Sequence, residues 1–339
     1  DRSAKMNERN YRIGLVALAL SAGALSVGCG GSNKDSKVSD GTGGGSNGQS
    51  GSTNINVPGG GGDTGIGEGG ANSIGTGTLP PGFTAANMFG GFKVGDPITG
   101  TGAGGTDGTG GSSTSTTGCG TTILAVIRDF KADGKNFEGQ TGDDRGLVSP
   151  MLGADRKPVW AHPTTATKTV ADPSQLDSWY RNVDGLNKPY KLEIWFGPND
   201  TDANNPVSSF QSTAFFPIDG LGWGNDGADK AGTMHNFHFT TEIHTEFKYN
   251  GGEVFKFTGD DDVWVFINNQ LAIDLGGVHS AENKSIDIDS QATMLGLTKG
   301  QVYPFDMFQN ERHTTESNFR ADTDLEFVDC GTIVPEVPK

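Results

Sequence analysis

Residues 237–247 read FHFTTEIHTEF, and residues 254–267 read VFKFTGDDDVWVFI. In the first stretch Phe237, Phe239, Thr241, Ile243, Thr245 and Phe247 alternate with His238, Thr240, Glu242, His244 and Glu246, the period-two pattern of a half-buried antiparallel strand. The second runs from a strand over 254–258 through an acidic step, Asp260, Asp261 and Asp262, into a continuous apolar strand over 263–267. Asn268 and Asn269 tolerate the positive φ of a tight hairpin, and 271–275 returns the chain. Further strands are expected at 285–288, 302–308 and 318–327, and 173–180 suits a short helix. Many strands separated by Gly, Pro, Asn and Asp turns predict an all-β chain, an antiparallel two-layer β-sandwich or jelly roll.

Around this core the composition changes abruptly. Of the 54 glycines in 339 residues, 30 fall within the 89 positions of 30–118, which hold only three aromatic residues, Phe83, Phe89 and Phe92. So little apolar surface does not offset the entropy of ordering the chain, and 30–118 reads as a disordered Gly/Ser/Thr-rich linker reaching roughly 50 Å. Within it 80–98 (PPGFTAANMFGGFKVGDPI) is less repetitive and either packs against the domain or is a stickier piece of linker. Glycine patterns at Gly65, Gly67 and Gly70 and at 44–48 imitate a dinucleotide fingerprint and a nucleophile elbow, but neither has the strand and helix its mechanism needs.

The span 119–330 carries all five tryptophans and is long enough for one core, with 331–339 as a tail. It holds 17 basic against 32 acidic side chains, most of the formal charge of −16. Such a surface excludes nucleic acid as a partner and disfavours anionic lipid.

Lys5, Arg9 and Arg12 precede an apolar run over 13–28, too short for a membrane span, so 1–28 reads as a signal peptide. Its end, Leu25, Ser26, Val27, Gly28 and Cys29, resembles the bacterial lipoprotein cleavage and acylation site. Lipidation of Cys29 is the expectation, and Ser26 where that class prefers Leu keeps ordinary cleavage and secretion as the alternative. Gly30 lacks the inner-membrane retention signal of the class, which implies the outer membrane or cell surface, with membrane contact through the anchor alone. The two remaining cysteines, Cys119 and Cys330, bracket the aromatic-rich region, as a disulfide formed in an oxidising compartment would.

The domain resembles the fibro-slime domain of surface and secreted proteins of slime moulds and fruiting bacteria. The resemblance rests on Arg128–Lys131, Trp195–Phe196, Phe215–Gly220 with Gly222–Gly224, His235–Glu242, Phe257–Ile267, Asp274–His279, and Glu311–His313 with Ser317–Phe319, and covers nearly all of 119–330. Lys135–Glu138 departs from that family's usual segment. More remotely, Gly259–Ile267 looks like the hairpin of the sugar-binding β-sandwich first described in the anthrax protective antigen and shared with flocculins and adhesins. In that sandwich two consecutive aspartates joined by a cis peptide bind calcium, and the calcium binds sugar hydroxyls.

Three adjacent carboxylates repel one another and need a cation or solvent. The resemblance makes Asp260 and Asp261 calcium ligands, with Asn310 a further metal ligand, while Asp262 caps a turn or touches ligand. Glu311, Arg312, His313 and Asn318 supply oxygens or sugar contacts from the following loop, and Trp223 could stack on a sugar face. Asp200, Asp202 and Asn204 imitate an EF-hand start but lack its Gly and Glu, a polar turn instead. The remaining histidines read as surface or satisfied core groups.

The expectation is therefore a cell-surface or secreted adhesion or extracellular-matrix lipoprotein that binds carbohydrate or matrix polymer through calcium, without catalysis. The alternatives are a structural matrix or self-association module with a purely structural calcium and, further off, a glycoside hydrolase.

Overall fold

The alternation at 237–247 becomes the strand Phe239–Lys248, at the centre of a nine-stranded antiparallel sheet. The computed structural model describes residues 77–99, 120–201 and 207–333. Of its two units, Asp1–Ile66 lies wholly outside those residues and Gly67–Lys339 contains all of them. The expectations for the signal peptide, Cys29, Cys119, Asp202, Asn204, the glycine patterns and most of the tether and tail fall outside the described residues.

In spatial order the first sheet runs Thr84–Ala85, Gly91–Pro97, Lys188–Trp195, Thr122–Asp129, Phe239–Lys248, Val302–Glu311, Val263–Ile267 and Gln270–Leu275, with Glu326–Asp329 also pairing with Phe239–Lys248. The second sheet runs Glu282–Asp287, Val254–Gly259, Phe319–Thr323, Val207–Ser212 and Gly197–Asn199. Asn268 and Asn269 take the positive φ of the expected hairpin. The expected strand over 318–327 is two strands, Phe319–Thr323 in the second sheet and Glu326–Asp329 in the first.

Between the sheets lies a core that includes Phe239, Ile243, Phe247, Val263, Val265, Ile267, Phe305 and Met307. A second apolar cluster covers the outer face of the first sheet, where Trp264, Phe266 and Phe308 meet Phe137, Trp160, Trp179 and Tyr180 from the segment between Asp129 and Lys188. This extra layer explains why 263–267 is apolar at every position, since both of its faces are buried. It also corrects the half-buried reading of 237–247: Glu242 and His244, on the polar face, are only 2% exposed.

Burial alone would raise the Glu242 carboxyl, yet Lys157, Arg128 and His244 around it hold it well below its usual range. His244 passes the contact on to Asp306, its Nδ1 lying 2.5 Å from Oδ1. Buried charges persist only when paired in this way.

One sequence boundary moves. Residues 84–97, placed in the linker, form strands at the edge of the first sheet, with Ala86 buried and Phe92 and Val94 packed on the core. The eight residues 173–180 form a 3₁₀-helix capped by Asp172. An unanticipated α-helix, Ile288–Leu295, follows the strand Glu282–Asp287, with Asp287 accepting from the Ser290 N–H and left-handed Gly296 closing it. No helix among the described residues is long and apolar enough to cross a membrane.

Candidate functional site

The acidic step is where the chain changes sheets. Gly259 ends a second-sheet strand and Val263 begins a first-sheet strand, so Asp260, Asp261 and Asp262 bridge the gap. Two further crossovers run beside it, 312–318 from Glu311 to Phe319 and 276–281 from Leu275 to Glu282. The fit is close enough that a Cβ on Gly259 would meet the Asn318 carbonyl oxygen at 2.4 Å. Together the crossovers form a hollow of about 350 Å³, of ligand-pocket size, reached by Asp260, Asp261, His279 and His313.

All three aspartates are buried in the bend between the two strands, and they divide into two sets by their partners. Asp260 Oδ2 accepts from the Asn318 backbone and side-chain N–H groups at 3.0 and 2.8 Å, whereas its Oδ1 has no partner among the described residues. Asp261 Oδ1 accepts from the His279 N–H and Oδ2 from the Arg312 N–H, both at 2.9 Å. Glu311 is fully buried, and among the described residues neither carboxylate oxygen has a well-formed hydrogen bond; the Ser317 hydroxyl, donated to the Phe215 carbonyl, and the His313 N–H lie near enough to favour its charged form.

Burial raises the Asp260 carboxyl against the two Asn318 hydrogen bonds. Burial also pushes Asp261 well up, the Arg312 charge opposing and the Asp262 and Asp260 charges adding. Glu311 is driven well up by burial, then by the charges of Asp261 and Asp260. The chemistry of this group suits a hard cation: three carboxylates at close quarters, with unpartnered buried oxygens on two of them. Among the described residues no set of three or more His, Cys, Asp or Glu side chains is already gathered as a metal cage.

Asp262 and Asn310, expected near ligand and metal, face the other way. Asp262 Oδ1 accepts from the Gly277 N–H at 2.6 Å, and its Oδ2 accepts from Asn310 Nδ2 at 3.0 Å and from the Arg312 guanidinium at 2.8 Å. Asn310 accepts from the Tyr180 hydroxyl at 2.5 Å. Positions 310 and 311 alternate across the strand, so Glu311 joins Asp260 and Asp261 while Asn310 does not. Gly277 approaches so closely, at φ +131°, that a Cβ would meet the Gly142 carbonyl oxygen at 2.4 Å.

Arg312, expected at the ligand, is fully buried, its Nε donating to the Asn136 carbonyl at 2.7 Å and its guanidinium lying 5.0 Å from the Trp179 ring centroid. Asn318 supports Asp260. His313 does reach the hollow, with Nδ1 on the Thr314 carbonyl and Nε2 3.3 Å from Glu138. The Asp260–Asp261 peptide is trans, and the cis bond among the described residues is Thr314–Thr315. His279, read from the sequence as a surface or satisfied core histidine, also lines the hollow; its signal was its place in the Asp274–His279 block.

Trp223, expected to stack on sugar, does not line the hollow. The ammonium groups of Lys131 and Lys188 each lie 3.9 Å from its ring centroid, and its backbone N–H donates to Asp129 Oδ2. Burial raises Asp129 to about 6, the hydrogen bonds from Asn236 and Trp223 offsetting part of the effect. A carboxyl with a raised folded pKa contributes stability that is present below pH 3.8 and lost as pH rises through about 6. The stability advantage of wild type over Asp129→Asn should therefore fall by about 2 kcal/mol between pH 4 and 7, measured by urea unfolding. Two parallel pH profiles would contradict this.

Residues 180–339 match the PA14 domain, in line with the protective-antigen resemblance of the hairpin at 259–267. Protein psiR of Dictyostelium discoideum is 41% identical over 207 residues, covering 59% of this chain and 20% of psiR. Protein psiQ of the same organism is 41% identical over 203 residues, covering 56% of this chain and 20% of psiQ. The chain thus spans about a fifth of the length of these relatives. The crystal structure of the PA14 domain of the MpAFP antifreeze protein covers 65% of this chain and 94% of its own, at 10% identity and a TM-score of 0.26.

Proposed function

We propose that this is a carbohydrate-binding adhesion or extracellular-matrix module of fibro-slime type, in which Asp260, Asp261 and Glu311 hold calcium at the floor of the hollow. The observation that carries the reading is the set of buried, unpartnered oxygens, Asp260 Oδ1 and both of Glu311, beside a hollow that Asp260 and Asp261 line. Calcium takes about six to eight oxygens and can leave places for vicinal sugar hydroxyls. The chain's own part is to preorganise: Asn318 orients Asp260, the N–H groups of His279 and Arg312 orient Asp261, and the Asp262–Arg312 pair fixes the crossover from behind. The PA14 match over 180–339 supports the same reading.

The proposal is of binding without turnover, by an exported protein anchored through Cys29 at the outer membrane or cell surface. Cys330 is disulfide-bonded, and Cys119 is its proposed partner. The test is binding to arrayed glycans and matrix polysaccharides with and without EDTA, for wild type, Asp260→Asn and Glu311→Gln. Chelation and either substitution should abolish binding. Binding indifferent to all three would overturn the proposal.

A further inference from the structure

The wall of the hollow carries one feature that its acidic floor does not explain, a lysine ammonium. Lys230 sits at the tip of the hairpin joining Gly227–Ala228 to Met234–His235. That tip is pinned by Asp229, whose Oδ1 accepts from the Ala231 and Thr233 N–H groups at 2.9 and 2.8 Å and whose backbone N–H donates to the Thr233 carbonyl. The lysine backbone is thus fixed while its side chain remains 65% exposed.

The other cation-capable lining groups are committed elsewhere. Both ring nitrogens of His279 lie 3.0 Å from carbonyl oxygens, those of Ser280 and Leu275. His313 engages the Thr314 carbonyl and Glu138. Among the described residues Lys230 pairs only with Glu316, at 2.5 Å, in an ion pair open to solvent on both sides. Such a pair is weak, and an ammonium has three donors, so it can take a second carboxylate without releasing the first. Among the described residues no Phe, Tyr or Trp lines the hollow, so selection there rests on polar contacts more than on stacking on a sugar face.

Resting on the function proposed above, we infer that the hollow selects acidic sugars, with the hydroxyls of a hexuronate directed to the carboxylate floor and its carboxylate to Lys230. The chain's formal charge of −16 does not forbid this, because at physiological salt fields are screened beyond about 8 Å and the contact is local. Glu316 limits the gain by repelling the incoming carboxylate, and it also sets the direction of a second substitution.

The test is calorimetric titration of the full chain, saturated with calcium, with methyl hexuronides and their parent methyl hexosides in the gluco, galacto and manno series. At least one hexuronide should bind roughly fivefold more tightly than its hexoside. Lys230→Gln should bring that ratio close to one, Lys230→Arg should retain it, and Glu316→Gln should widen it. The ratio should also shrink as sodium chloride is raised. EDTA-sensitive hexoside binding with no preference for the acid, or a preference unchanged in Lys230→Gln, overturns this inference and leaves the calcium reading standing. Binding of none of the six sugars overturns it together with that reading.

Discussion

Replacing Arg312 with alanine is expected to cost about 3–5 kcal/mol of folding stability, the range for stripping one partner from a buried ion pair. The guanidinium is fully buried and ties two parts of the molecule together: Asp262 on the crossover, and Asn136, Thr169 and the Trp179 ring on the covering layer. Its loss leaves Asp262 charged and buried, with only the Gly277 N–H and the Asn310 amide as donors. Urea unfolding measures the loss, and pairing the change with Asp262→Asn should recover part of it, because the stranded charge is then removed too. A loss below about 1 kcal/mol would mean that the pair does not hold the covering layer in place.

A chain beginning at Cys119, the boundary that composition suggests, is expected to be destabilised by about 3 kcal/mol or more. Such a chain lacks the strand Gly91–Pro97, which pairs with Lys188–Trp195 and sets Phe92 edge-on to Phe215 at 6.1 Å. It also lacks Phe89, which exchanges backbone hydrogen bonds with Gln211 of the second sheet and so ties the two sheets together at their edge. Losing the partly buried Phe92 and Val94, the buried Ala86 and the strand's backbone pairing supplies that cost, and the bared edge of Lys188–Trp195 invites aggregation. A chain beginning at residue 77 should melt like the full chain, and equal melting temperatures for the two truncated chains would contradict the assignment.

That boundary shows what composition can and cannot reveal. With three phenylalanines among 89 positions, 30–118 looks incapable of folding, yet 84–97 needs no core of its own because it borrows one from a preformed sheet edge. Local patterns read well where local physics decides: the alternation at 237–247, the apolar run at 263–267 and the paired asparagines of the hairpin all signal their structures. The covering layer was not legible, because a polar strand face looks the same whether it meets water or buried partners such as Lys157 and Arg128.

In the site, adjacency along the chain marked Asp260 and Asp261 but could not say which residues of 310–318 face them. The phase of one strand decides between Asn310 and Glu311, and that phase is set by pairing across the sheet. Arg312 was placed at the ligand because it lies in the loop expected after the 302–308 strand. The structure spends the Arg312 charge internally on Asp262.

The most direct measurement is calorimetric titration of calcium into the metal-free full chain, beside Asp260→Asn and Glu311→Gln. The account predicts one binding event per chain, with each substitution weakening it by about a hundredfold or more, as expected when a charged ligand is lost from a site of few carboxylates. No heat on titration of the wild-type chain, or an isotherm unchanged by both substitutions, would contradict it.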